Sequence, residues 1–202
     1  SQGLHPEELR DEAAKEGVDI SVPSNFWRRI TDRHSGEVAR RTKDSSDRFA
    51  HISPTERLYY DSYDTTEFTG TVESIVEVDD AYHVVLNRSA FYPTSGGQEH
   101  DEGRLGEEKV YDVFSESDRV VHVLPAVSFD EGDSVQGIVD FDRRLQLSQH
   151  HTATHIVTGC AREILGDHVW QAGASKTMDK ARIDLTHYHS LSREDEQALE
   201  EA

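Results

Sequence analysis

The sequence predicts an α+β fold in three stretches: a helical N-terminal segment, a small antiparallel β-barrel, and an α/β region entered through one long helix. Three observations carry this expectation. Residues 66–141 hold runs rich in β-branched and aromatic residues, such as TEFTGTVESIVEV, RVVHVL and SVQGIVDF, separated by Gly and Asp turn signals. Residues 142–165 change to helical periodicity. Residues 1–41 carry helix start and stop signals. The expected stretches are 1–57, 58–142 and 143–202.

The elements follow in order. Pro6 suits the first helical position, acidic Glu7, Glu8, Asp11 and Glu12 suit the positive end of the dipole, and Gly17 suits a stop. A second helix starts near Ser24, with Phe26, Trp27 and Ile30 on one face. Residues 42–57 are polar, contain a proline and lack periodicity, so they read as a linker or extended crossover. In the β stretch, Asp79-Asp80, Ser95-Gly96-Gly97, Gly103, Gly106 and Glu131-Gly132-Asp133 mark the turns. After the long helix, Gly166 suits its stop, short strands are expected near 168–173 and 180–186, and Ser192-x-x-Asp195 opens a last helix.

Of the 202 residues 40 are acidic and 21 basic, a net charge of -19. Such a surplus opposes nucleic acid, which is held by Lys and Arg displacing counterions. Only Lys15, Lys43, Lys109, Lys176 and Lys180 are lysines, however, and the other basic residues are arginine. An acid-rich, lysine-poor surface suits a halophilic protein working in molar salt, where the Debye length is about 3 Å. Charge then does not choose the partner; local chemistry does. No apolar run approaches the roughly 18–20 residues needed to span a bilayer, so no membrane role is expected. Cys160 is the only cysteine, which excludes a disulfide framework and suits a reducing, cytoplasmic setting. The chain opens on Ser1 with no leader pattern and reads as a piece of something longer.

The most informative stretch is Gln149-His150-His151-Thr152-Ala153-Thr154-His155. One helical turn separates His151 from His155, and Thr154 and Thr158 share their side. Ala153, Ile156, Val157, Cys160 and Ile164 form an apolar stripe opposite, the expected core face. Two imidazoles one turn apart can supply two of the four ligands of a tetrahedral zinc. The same pair also suits a polar face that simply meets water. Cys160 points the wrong way to join it and reads as a small core residue. His187 and His189, alternating on an extended segment, offer a second pair for a four-histidine site, or a loop. Gly96-Gly97 lets backbone N–H groups approach a ligand closely, or makes an ordinary hairpin turn. Gln171 alternates with Trp170 and can face a cleft or solvent.

FYPTSGGQ (Phe91–Gln98), then Asp101-x-Gly103, then HTATH (His151–His155), then GDHVWQAGA and ARIDLTHY, together resemble the editing region of the alanyl-tRNA synthetase family. The N-terminal LHPEELRDEAAKEGVDISVPSNFWRRITDRH resembles the segment before that region in archaeal members. The resemblance implies that residues from 143 onward begin an editing core. It implies that His151 and His155 are the first zinc-ligand pair, with a Cys-x-x-x-His pair expected beyond Ala202. It places Thr154 at a position linked to substrate discrimination and Gln171 among the polar residues of the editing pocket. Gly96, Gly97 and Gln98 match the family's glycine motif, in which Ser95 here replaces a glycine.

The family's whole enzyme joins alanine to tRNA(Ala) using ATP and Mg, bound outside this stretch. Its editing region hydrolyses Ser-tRNA(Ala) and Gly-tRNA(Ala). The need is physical: a small apolar pocket rejects an isostere that adds one hydroxyl by only about 10². Two other readings compete. One is a free-standing trans-editing aminoacyl-tRNA hydrolase. The other is a non-catalytic acidic β-barrel binding module with an exposed His pair.

Overall fold

The structure is a computed structural model, and it describes residues 48–202. The two N-terminal helices expected within 1–41 lie outside those residues. The chain divides into two compact units. Among the described residues, the larger takes 48–156 and Gly173–Ile183, and the smaller takes Val157–Ala172 and Asp184–Ala202.

The larger unit is built on a seven-stranded sheet whose strand pairs are all antiparallel. In chain order its strands are β2 (Glu67–Val78), β3 (Ala81–Leu86), β5 (Gly103–Leu105), β6 (Glu108–Val110), β7 (Asp112–Glu116), β8 (Arg119–Leu124) and β9 (Ser134–Val139). A short parallel pair, β1 (Glu56–Arg57) with β4 (Arg88–Ser89), stands apart from it. The spatial order is β6-β5-β9-β2-β3-β8-β7. The two edge strands, β6 and β7, are separated in sequence by Tyr111 alone, whose N–H reaches Val123 O at 3.2 Å. The sheet is therefore nearly closed on itself, which protects its edges as a barrel does.

Local sequence explains the strands. Phe68, Gly70, Val72 and Ser74 of β2 are buried in strict alternation. Asp79 and Asp80 both take positive φ, 48° and 64°, which makes the two-residue turn that pairs Val78 with Ala81. Central strand β3 ends in three consecutive buried residues, Val84, Val85 and Leu86, because it is covered on both faces. Val84 and Leu86 join the main core with Phe91, Leu105, Val113 and Leu124. Val85 joins a smaller cluster with Phe49, Ile52 and Val121.

Helix α1 (Phe141–Leu165) follows β9 after one residue. Strands β10 (Gln171–Lys176) and β11 (Ala181–Leu185) pair with each other, and α2 (Arg193–Glu201) closes the described chain. Ser192 and Asp195 form the expected reciprocal capping box of α2. The first of the expected late strands is displaced by three residues. Val169 N bonds to Gly166 O in a turn, and the Thr186 hydroxyl takes the Trp170 N–H, so regular pairing begins at Gln171.

The expected core face of α1 is a correction. Ile156 is 59% exposed, and Ala153, Val157 and Ile164 are exposed too. The buried stripe is Arg144, Leu147, Thr154 and Ala161, the side that carries His151. Arg144 explains part of this reversal. Its guanidinium is 3.0 Å and 2.9 Å from the Asp101 oxygens through Nε, and its other nitrogens donate to Tyr63 O and Ala90 O. A polar residue whose donors are all matched can be buried where a pattern reading expects an apolar one. Among the described residues no helix is long and apolar enough to cross a membrane.

Candidate functional site

The site begins with a turn. Ser95 and Gln98 exchange both backbone hydrogen bonds, at 3.1 Å and 2.9 Å, around Gly96 and Gly97. Both glycines have positive φ, 59° and 76°, the left-handed geometry that this tight turn needs. Gly97 has a second constraint. A Cβ there would sit 2.0 Å from Ala174 O, so only glycine lets the turn lie against β10. The contact is fixed by Lys176 N donating to Gly97 O at 2.7 Å and Glu99 N donating to Lys176 O at 3.1 Å.

Helix α1 meets this turn through His151. The Nδ1 of His151 is 2.7 Å from the side-chain oxygen of Gln98. An amide oxygen only accepts, so Nδ1 carries the proton and Nε2 keeps its lone pair. The ring edge also faces the turn: a Cβ on Gly96 would be 3.6 Å from His151 Cε1. Burial lowers the pKa of His151, with the Lys176 ammonium and His155 adding to the effect, so the imidazole is neutral at pH 7.

The buried Asp101–Arg144 ion pair sets the register of this meeting. Asp101 also accepts the Tyr92 N–H at 2.6 Å, so one carboxylate ties the segment entering the turn to the first turns of α1. His150 adds a second tie, with Nδ1 2.8 Å from Thr177 O just after β10.

The residues singled out in the sequence are therefore partly brought together. Gly96, Gly97, Gln98 and His151 form one cluster. His155 stacks on His151 with ring centroids 5.0 Å apart and planes 17° off parallel, and its own side chain is exposed. Thr154 is 3% exposed and donates its hydroxyl to His151 O at 2.7 Å. Gln171 opens β10 and belongs to the smaller unit. His187 is taken up by His168, Nδ1 to Nε2 at 2.9 Å. Among the described residues no three His, Cys, Asp or Glu side chains gather closely enough to hold a metal, so the four-histidine arrangement does not form there.

Sequence reasoning missed Lys176. Its side chain runs beneath the glycine turn, is 1% exposed, and donates from Nζ to Gly96 O at 2.9 Å. Burial lowers its pKa. The available signal was compositional: a chain that uses arginine almost everywhere keeps a lysine here.

Comparison with known proteins decides the family. The model for tRNA synthetases class II (A) matches residues 1–143. The chain is 41% identical over 214 residues to the alanine–tRNA ligase of Hyperthermus butylicus, covering all of this chain and 23% of that protein. It is 39% identical over 205 residues to the alanine–tRNA ligase of Haloquadratum walsbyi, covering 99% of this chain and 22% of that protein. The chain belongs to the alanyl-tRNA synthetase family. It spans less than a quarter of the length of these curated relatives. The 38% identity to the alanine–tRNA ligase of Metallosphaera sedula also covers the whole chain. This stretch of an alanyl-tRNA synthetase thus contains both the glycine turn and the helix that answers it.

Proposed function

We propose that this chain is the part of an alanine–tRNA ligase that begins its editing region, where serine or glycine wrongly esterified to tRNA(Ala) is hydrolysed. The complete protein would attach alanine to tRNA(Ala) using ATP and Mg held outside this stretch. The observation that carries the reading is the hydrogen bond between Gln98 and His151. It joins a glycine turn and a His-x-x-x-His helix that lie 53 residues apart.

The chemistry follows from that arrangement. His151 and His155 are adjacent nitrogen donors, and an Nδ1–H held by an oxygen acceptor is how metal-binding imidazoles are commonly oriented. They fit half of a tetrahedral zinc site, the other ligands being expected beyond Ala202. Zinc bound there would polarise a water or an ester carbonyl. The protein's own groups do the rest. Gly96 and Gly97 are exposed and present backbone to the terminal nucleotide or its ester. Thr154, at the position the resemblance links to substrate discrimination, donates its hydroxyl to His151 O and so stands directly behind the first of the two imidazoles.

The family match begins at residue 1, before the sheet, which supports a synthetase over a free-standing hydrolase. An inert acidic module is disfavoured because His151 is engaged and half-buried. The test is deacylation of Ser-tRNA(Ala) by the complete protein carrying His151→Ala or Thr154→Ala. Both should slow deacylation while alanine attachment proceeds normally. Unchanged deacylation in both would remove these residues from the reaction.

A further inference from the structure

Lys176 is a costly residue where it stands. Among the described residues no carboxylate pairs with it, and its ammonium makes one hydrogen bond, to Gly96 O. An unpaired buried charge carries a desolvation penalty that a methionine of similar length would avoid. Packing therefore does not account for the lysine.

Its one bond has a geometric consequence. A peptide is planar and trans, so the C=O and N–H of one unit point in opposite directions. Lys176 holds the Gly96 C=O inward. The N–H of the same unit, that of Gly97, is turned outward. Gly97 is exposed, and its N–H has no partner among the described residues. The same turn lies against His151, whose Cε1 would be 3.6 Å from a Cβ on Gly96. A cation on the carbonyl also polarises the peptide and strengthens its N–H as a donor.

We propose that Lys176 is a positioning residue of the editing site: through the Gly96 carbonyl it aims the Gly97 N–H at the oxygen of the substrate ester. This inference rests on the editing reading above. When water adds to the aminoacyl ester, the carbonyl oxygen becomes an oxyanion, and Gly97 N–H donates to it. The C–O bond to the ribose then breaks, the ribose oxygen takes the proton released by the water, and free serine leaves. Lys176 keeps its proton throughout and never touches substrate.

The test uses the complete protein with K176M and K176Q, in single-turnover deacylation of Ser-tRNA(Ala) at several enzyme concentrations. Losing an oxyanion donor outright costs about 10²–10³ in rate. Misaiming one should lower the saturating rate about 10- to 100-fold in K176M, with the half-saturation concentration changed by less than about threefold. Glutamine keeps a donor for Gly96 O, so K176Q should return to within roughly threefold of wild type. A far-UV spectrum and a protease-resistance pattern of the complete protein matching wild type show that the variants are folded. If K176M fails that control, K176L is read against K176Q in its place, with the same expected loss and rescue. The inference is overturned by a K176M rate within about twofold of wild type, by a loss confined to half-saturation, or by a K176Q as impaired as K176M. Wild-type protein that leaves Ser-tRNA(Ala) intact would overturn the editing reading itself, and the inference with it.

Discussion

His122 on β8 should make this fold sensitive to mild acid. The ring is fully buried, and its Nδ1 lies 3.0 Å from Val84 O, which only accepts, so that nitrogen carries the proton. Nε2 then accepts from the Ser89 hydroxyl at 2.8 Å, and Ser89 Oγ in turn accepts the Phe91 N–H at 3.1 Å. This network is satisfied by a neutral imidazole. Charging the ring in place is opposed by burial, which lowers its pKa from 6.5 to about 4, against the smaller, opposite effect of the bond to Val84 O. The unfolded chain takes up a proton near pH 6.5 that the folded chain refuses until near pH 4. The network's contribution is thus complete above pH 6.5 and declines as pH falls toward 4. At about 1.4 kcal/mol per unit, the decline totals roughly 3 kcal/mol. That is a sizeable part of the 5–15 kcal/mol that typically holds a domain together. Urea unfolding of the chain at pH 7, 5.5 and 4.5 measures it, with His122→Gln as the reference. Both proteins lose stability through their carboxylates, so the difference between the two curves isolates the histidine. The wild type should fall more steeply, by about one proton's worth, between pH 6.5 and 4. Parallel curves would refute the reasoning.

The Asp101–Arg144 pair and the zinc half-site give two more expectations. Arg144→Met strands a fully buried carboxylate and should cost about 3–5 kcal/mol in urea unfolding, and Asp101→Leu on top of it should recover part of that; a loss below about 1 kcal/mol would show that the pair does not anchor α1. Among the described residues two imidazoles stand together where a structural zinc takes four ligands, so metal should be lost from the 202-residue chain on dialysis against a weak chelator; one zinc per chain surviving that treatment would show that the chain closes the site itself.

Much of the fold was legible because its signals are local. The alternation of Phe68, Val72 and Ser74, the paired aspartates at 79–80, and the Ser192–Asp195 box each lie within a few residues of what they determine. The turn at Gly96-Gly97 was legible for the same reason, but its destination was not. What seats it is the Ala174 carbonyl and the Lys176 amine, 80 residues further on. The late strand was misplaced by three residues because the Trp170 N–H goes to Thr186, a partner no local pattern reveals.

The facing of α1 shows the physical reason most clearly. Periodicity found the helix and then named the wrong side as core, because it assumes that polar residues seek water. Arg144 does not need water, since Asp101 and two carbonyls take its donors. Nor does Thr154 need it, since the helix's own His151 carbonyl takes its hydroxyl proton. A polar residue on the buried stripe of a helix implies a partner elsewhere in the chain, and here those partners all lead to one place. Asp101 pulls the segment entering the glycine turn onto α1, Gln98 orients His151, and Lys176 holds the turn from below. The interactions that defeated pattern reading are therefore the ones that assemble the candidate site. A helix that buries Arg144 and Thr154 while exposing Ile156 and Val157 has been oriented by its polar partners and not by its apolar stripe.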